Sequence, residues 1–359
     1  MAIHQQLIGT ESEAAWRGFL PANRSVFASL EFARLQEQYL QRLAKLFVFG
    51  SDESSILYPF LLRPLSDLPF ACESMGAQWD STTPEFTGPF GLTQASVGQF
   101  TCAVHRLWPQ LGVVTEFMHL NPWSGAEQLL PAEALQFNRD LVWVDTSLPD
   151  DELWRNHFSH ACRKNLKRAN SENVRVYEAT GLDDVHEFHR IYRETMDRNQ
   201  AFSSYYFPKE YFTSIFETMR QNCRFVMAEY KNRIVAATLY LHDNANVYSY
   251  LGGADYDYQA IRPTNVIVFD TITWARSVGK RRLILGGGYQ EHDGIFRFKA
   301  GFSQLRAAFY TFQQVHLVEQ YNALRDGWCR SHEMSGEVKP YFPVYRAPLL
   351  QGKSSLTCL

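Results

Sequence analysis

The stretch from Arg224 to Leu285 constrains the fold more than any other. Arg224–Tyr230, Ile234–His242 and Asn246–Tyr250 are three runs rich in β-branched and aromatic residues, which suits strands. KNR between the first two reads as a hairpin turn. Pro263 then opens a helix that runs to Val278, Gly279 stops it, and Lys280 with its basic neighbours suits a helix C-terminus. Arg282–Leu285 is the next strand. Strands and helices thus share one sequence neighbourhood, and the same mixture recurs upstream. A helix is expected near Ser29–Leu43, strands at Leu46–Phe49 and Ile56–Leu62, and a loop rich in Gly, Pro, Ser and Thr over Asp80–Thr93. A helix near Val97–Gln110 and strands near Val113–Leu120 and Leu141–Val144 complete the first half. A long polar helix over Asp150–Ala169, a strand at Val174–Tyr177, and helices at Asp183–Arg198 and Lys209–Arg220 open the second half, and Ala307–Gln313 is its last strand. The halves look alike. With 359 residues the chain suits two half-size cores. The expected domains are 1–145 and 146–348, with a loose tail over 349–359.

Composition removes several function classes. Charged residues are 20% and the net charge is −3, so a basic, DNA-coating protein is disfavoured and no DNA partner is expected. No apolar run approaches the roughly 18 residues of a membrane span, and the N-terminal stretch lacks the pattern of a secretory signal. The six cysteines are scattered, with no C-x-x-C pair, which argues against a zinc ribbon or redox motif. A cytoplasmic protein is the expectation. No metal site is expected either: His157 with His160, and His186 with His189, are one helical turn apart but lack further ligands.

Four segments carry candidate chemistry. Arg155–Arg168 is basic, with Arg163 and Lys167 four apart, as are Lys164 and Arg168. Such ridges suit phosphate contacts, or equally a solvated helix face. Leu285–Gly301 ends a strand in Gly286, Gly287 and Gly288, and then reaches Arg297, Phe298 and Lys299. Glycines there let backbone approach a ligand, and the lysine offers charge to an oxyanion or phosphate, or lies on the surface. Tyr248 and Tyr250 alternate along one strand side, as proton donors or as core phenols. Asp80, Glu85, Gly88 and Pro89 form the fourth group, as acceptor-positioning or turn-fixing residues. There is no P-loop, Rossmann fingerprint, nucleophile elbow or H-E-x-x-H. Covalent nucleophilic catalysis therefore has no local support.

In order, these segments resemble a known family. The loop D-S-T-T-P-E-F-T-G-P-F, the basic stretch R-K-N-L-K-R-A followed by N-V-R-V, and I-Y-R-E-T-M-D-R-N with Tyr205–Phe207 carry the likeness in the first part. Y-S-Y-L-G-G-A, I-R-P-T-N and F-R-F-K-A-G-F carry it further on. The likeness, spanning about Val26 to Tyr310, is to the Fem-type aminoacyltransferases of the GNAT-fold superfamily, which build peptide bridges on bacterial cell-wall precursors. It implies an α/β (α+β) protein of two packed GNAT-like domains, each a mixed central sheet flanked by helices. It also implies attack of an amine on an activated acyl group without a covalent enzyme intermediate. By the same resemblance Lys299 stabilises charge, Tyr248 and Tyr250 line the transfer site, and Asp80 lies near the acceptor. Phe298, Arg297, Gly287 and Gly288 shape the substrate pocket, while Arg163 and Lys164 contact phosphates. No tightly bound cofactor is implied; aminoacyl-tRNA or acyl-coenzyme A is the co-substrate, and the acceptor is a small-molecule or a glycan- or lipid-linked amine. The chain departs from the family at Glu85-Phe86. It also lacks a long heptad arm, and G-G-A-D-Y-D-Y-Q-A-I-R-P stands where a coenzyme A phosphate loop would be. A strictly acyl-coenzyme A-dependent enzyme and a non-catalytic binding module of the same fold are the rival readings.

Overall fold

The structure is a computed structural model that describes residues 4–20, 24–51, 54–70, 78–288, 293–332 and 341–347. In chain order the elements begin with β1 (His4–Gly9), α1 (Glu13–Phe19), α2 (Leu30–Leu40), β2 (Leu43–Ser51) and β3 (Ser54–Pro64). Next come β4 (Trp79–Thr82), α3 (Val97–Leu111), β5 (Val113–His119) and β6 (Leu135–Asp145). Then follow α4 (Asp150–Glu152), α5 (His160–Ser171), β7 (Arg175–Glu178), α6 (Leu182–Arg198), α7 (Lys209–Thr218), β8 (Cys223–Tyr230) and β9 (Arg233–His242). The chain continues with β10 (Asn246–Ala254), α8 (Pro263–Ser277), β11 (Arg282–Gly286), α9 (Gly294–Ala300), β12 (Arg306–Val315) and α10 (Val318–Ser331).

Two compact units divide the chain. One takes residues 1–21, 27–139 and 308–359; the other takes 22–26 and 140–307. The sequence reading gave everything from 146 to 348 to the second domain. The structure differs because β12 pairs antiparallel with β5, Thr311 opposite His119, which returns the end of the chain to the first unit. The expected tail over 349–359 lies outside the described residues.

In the first unit the strand order is β1-β2-β3-β4-β5-β12, mixed because β4 and β5 run parallel. Strand alternation sorts its two cores. Phe47 and Phe49 join Tyr58, Phe60, Phe100 and Trp108 on one side, while Leu46, Val48 and Leu57 meet Trp16, Leu30 and Ala33 on the other. Ser29 caps α2, its side chain accepting from the Phe32 N–H at 3.2 Å.

In the second unit the order is β6-β11-β10-β9-β8-β7, with β10 and β11 parallel and the remaining described pairs antiparallel. Helix α6 packs on β8, β9 and β10, and α8 packs on strands from β7 to β11. β8 and β9 are buried nearly end to end, as strands covered on both faces must be. Val226, Ala236, Tyr240, Val247, Ile267 and Leu283 form one core. Phe188, Phe212 and Phe225 form an aromatic cluster, with ring centroids 5.0 and 5.1 Å from Phe188. Gly253 sets the approach of α6 to β10: a Cβ there would lie 2.6 Å from Thr195 Oγ1 and 2.7 Å from the Ile191 carbonyl oxygen. Gly253→Ala is therefore expected to destabilise the protein by about 1–3 kcal/mol through overpacking, read as a lower urea midpoint.

The single polar helix expected over Asp150–Ala169 is broken. A π-helical turn occupies Leu153–His157 and Phe158 is extended. Ser159 then caps α5, accepting from the Cys162 N–H at 3.1 Å, and its own N–H donates to the Gly301 carbonyl at 2.8 Å. A Ser that caps well and a tertiary bond to Gly301 together outweigh helical continuity.

Candidate functional site

β10 and β11 part from each other. They are in register only at Asn246–Arg282, Val247–Leu283 and Tyr248–Ile284, although β10 runs on to Ala254 and β11 to Gly286. Each carries an irregularity at that level, between Ser249 and Leu251 in β10 and between Ile284 and Gly286 in β11. Bulges of this kind bend a strand and end its pairing. The result is an opening at the C-terminal ends of two parallel strands, the position where open α/β sheets receive ligands.

The glycine end of β11 and α9 meet beside it. Gly286 has φ of +81°, a left-handed turn that glycine takes without strain. Lys299 Nζ donates to the Gly287 carbonyl at 2.6 Å, and a Cβ on Gly286 would lie 3.3 Å from that nitrogen. Asp293 caps α9, accepting from the Phe296 N–H at 2.7 Å. Phe298 is half-buried against the core and meets Phe302 edge-on at 5.5 Å. Gly288 is half-buried and Arg297 is exposed. Lys299, Phe298, Gly286 and Gly287 are therefore brought together, and Tyr250 stands on the neighbouring strand where the pairing ends.

Tyr248 and Tyr250 have separate duties. Tyr248 is buried; it donates to Asp243 Oδ2 at 3.2 Å and accepts from Asn246 Nδ2 at 3.2 Å. Burial first, and then Asp243, pushes its phenol well above the usual range. It fixes the β9–β10 turn, which corrects the expectation that it lines a transfer site. Tyr250 is half-buried and its hydroxyl shares a 2.8 Å hydrogen bond with Tyr211. Tyr211 escaped the sequence reading. It is fully buried on α7 and stacks on Phe207 at 4.5 Å, and in sequence it is indistinguishable from an ordinary core aromatic of an amphipathic helix.

Asp80 also needs correction. It lies in strand β4, not in a loop, and is fully buried in the first unit. Its Oδ1 accepts from Thr115 Oγ1 at 2.8 Å and from the Tyr345 hydroxyl at 2.5 Å. Its Oδ2 accepts from Arg346 Nε at 2.8 Å, with Arg63 Nη2 at 3.7 Å. With both oxygens engaged by protein donors, it anchors structure and does not reach an acceptor amine. Arg163 is likewise occupied: its Nη1 donates to the carbonyls of Trp154 at 3.0 Å and Phe158 at 2.5 Å, closing the π-helical turn. Lys164 points to solvent. The two expected phosphate contacts thus diverge.

The described thiols offer no nucleophile in the second unit. Burial pushes both Cys162 and Cys223 up to about 12, where the reactive thiolate is scarce. His242 is no base for the opening either. Burial, with Lys280 and Arg224 nearby, lowers it to about 4. Because its folded value lies below the unfolded value near 6.5, the unfolded state takes up the proton first, and stability is lost as pH falls from about 6.5 toward 4. His242→Phe, which keeps a ring against Trp274 (5.1 Å in the native protein), is expected to lose less stability than the native protein between neutral and acid pH in urea titrations. Among the described residues no group of three or more His, Cys, Asp or Glu could hold a metal ion, and no helix is long and apolar enough to cross a membrane.

Residues 156–300 match the family described as acetyltransferase (GNAT) domain. No curated protein matches the chain by sequence. Among solved structures the fold is similar to that of FemX, at 12% identity and a TM-score of 0.68, over 89% of this chain and 99% of the other. It is similar to a conserved protein of unknown function from Bacteroides thetaiotaomicron, at 12% identity and a TM-score of 0.53, over 88% and 100%. It is also similar to the C-terminal domain of a lysylphosphatidylglycerol synthetase candidate from Agrobacterium fabrum, at 13% identity and a TM-score of 0.52, over 88% and 96%.

Proposed function

Because residues 156–300 match an acetyltransferase (GNAT) domain family and the fold is similar to that of FemX, we propose that this chain joins an aminoacyl or acyl group to an amine in the opening between β10 and β11. The observation that carries this reading is the parting of those two strands after Tyr248 and Ile284, with Lys299 held beside the glycine end of β11. The amine nitrogen attacks the acyl carbonyl carbon directly. A C–N bond forms, the C–O or C–S bond to the carrier breaks, and the carrier leaves with a proton. Lys299 stabilises the negative charge that develops on the carbonyl oxygen. Tyr250, oriented by Tyr211, donates the proton to the departing carrier and is re-protonated by the amine through water. Phe298, Gly287 and Gly288 shape the wall around the acyl group.

The donor in this reading is an aminoacyl-tRNA and the acceptor a lipid- or glycan-linked amine. The likeness in fold to FemX and to a lysylphosphatidylglycerol synthetase candidate supports that class. An acyl-coenzyme A donor is the second reading, favoured by the match of 156–300 to an acetyltransferase description. Thermal shift separates the two, since coenzyme A raises the melting temperature only of a protein that binds it. Mass spectrometry of envelope precursors and small metabolites, with and without active protein, tests the whole proposal. A mass increment on an amine is expected, and its size names the acyl group. Failure to find one with either donor class overturns the reading.

A further inference from the structure

A π-helical turn is rare and is found most often at functional sites. The one over Leu153–His157 is closed by the Phe158 N–H, which donates to the Leu153 carbonyl at 2.8 Å. Arg163 reaches back from α5 to lock it. Its Nη1 carries two N–H groups, and these donate to the Trp154 carbonyl at 3.0 Å and the Phe158 carbonyl at 2.5 Å. The turn so fixed delivers two neighbours to the end of α9. The buried Phe158 meets the buried Phe302 edge-on at 5.6 Å, and Phe302 in turn meets Phe298 of α9 at 5.5 Å. The Ser159 N–H donates to the Gly301 carbonyl at 2.8 Å. Glycine suits that close approach, since a Cβ on Gly301 would lie 3.3 Å from Ser159 Oγ and 3.0 Å from the Phe298 carbonyl oxygen. Helix α9 has only seven residues, too few to stay helical without tertiary support, and Lys299 stands in its last turn.

We propose that Arg163 is a positioning residue for Lys299: by locking the π-helical turn it sets Phe158 and Ser159, which fix the end of α9 and with it the ammonium on the Gly287 carbonyl. The inference rests on the role given to Lys299 in the transfer reaction. Both N–H groups of Arg163 Nη1 are engaged by backbone carbonyls, which favours this duty over a contact to a donor phosphate.

Amide hydrogen exchange and steady-state kinetics of the full chain make the test. In Arg163→Ala the amides of 294–302 are expected to exchange about tenfold faster or more, while those of β8 and β9 keep native rates, because only a local opening becomes easier. Turnover is expected to fall roughly tenfold to a hundredfold with donor KM unchanged, as for a catalytic group displaced by about 1 Å or less. Arg163→Lys keeps donors for the two carbonyls and is expected to recover most of both losses. Ser159→Pro leaves Arg163 in place. The native φ of −62° suits proline, but the ring takes the position of the N–H that reaches Gly301, so the same two changes are expected. Native exchange over 294–302 in both Arg163→Ala and Ser159→Pro overturns the proposal. So does a raised donor KM with unchanged turnover, the mark of a phosphate contact. Exchange needs no substrate, so native turnover in a folded Lys299→Ala protein, beside fast exchange in Arg163→Ala, refutes the transfer reading and leaves the hold of Arg163 on α9 standing.

Discussion

Lys299→Ala is expected to lower turnover a hundredfold or more while leaving the fold intact. The argument begins at β11. Its glycine end leaves no side chain between the strand and α9, so the ammonium settles on the Gly287 carbonyl at 2.6 Å. A charge held in advance at the reacting carbonyl need not reorganise as the oxyanion forms, and one such donor is worth about 3–4 kcal/mol in comparable sites. Lys299→Arg keeps the charge but changes its reach and is expected to fall between the two. Steady-state kinetics with the identified donor, beside thermal unfolding of each variant, makes the check. Turnover near the native value in a folded Lys299→Ala protein would remove this residue from the mechanism.

Asp80→Ala is expected to have the largest effect on stability, about 3–5 kcal/mol. Removing one partner from a buried ion pair strands the other charge. Here Arg346 loses its Nε contact to Asp80 and keeps Asp67 and the Pro64 carbonyl, while Thr115 and the Tyr345 hydroxyl lose a shared acceptor. Urea denaturation followed by tryptophan fluorescence is suitable, since Trp16 and Trp108 are buried in the same unit. A loss under about 1 kcal/mol would show that water replaces the carboxylate cheaply, against the ordinary cost of an unpaired buried charge.

Local signals made the second unit legible. The apolar runs of β8 and β9, Pro263 at the start of α8 and Gly279 after its end all report on neighbours a few residues away, and the structure places these elements within a residue or two of expectation. The glycine end of β11, against which Lys299 settles, also carried a compositional mark, because glycine permits close backbone approach. Asp80 did not. Its surroundings read as a loop, and the residues that turn it into a buried strand anchor lie far along the chain, Tyr345 being 265 positions away. The interruption of the helix before Ser159 was hidden for the same reason, since the Ser159 N–H finds its acceptor on the distant Gly301, while Arg163 satisfies the carbonyls of the π-helical turn from close by. Tyr250, which meets Tyr211, lies at the irregularity of β10, and a bulge leaves no reliable mark on sequence alternation.

The partition of the chain has a consequence for biosynthesis. Residues 140–307 emerge from the ribosome as an uninterrupted block able to close its own sheet. The earlier block must wait: β5 has β4 but lacks β12 until 306–315 is translated, and Asp80 has Thr115 but lacks the Tyr345 and Arg346 donors until 345 and 346 arrive. Released chains that end at residue 307 should therefore carry a protease-resistant later portion alongside a digestible earlier one, an order of maturation opposite to the order of synthesis.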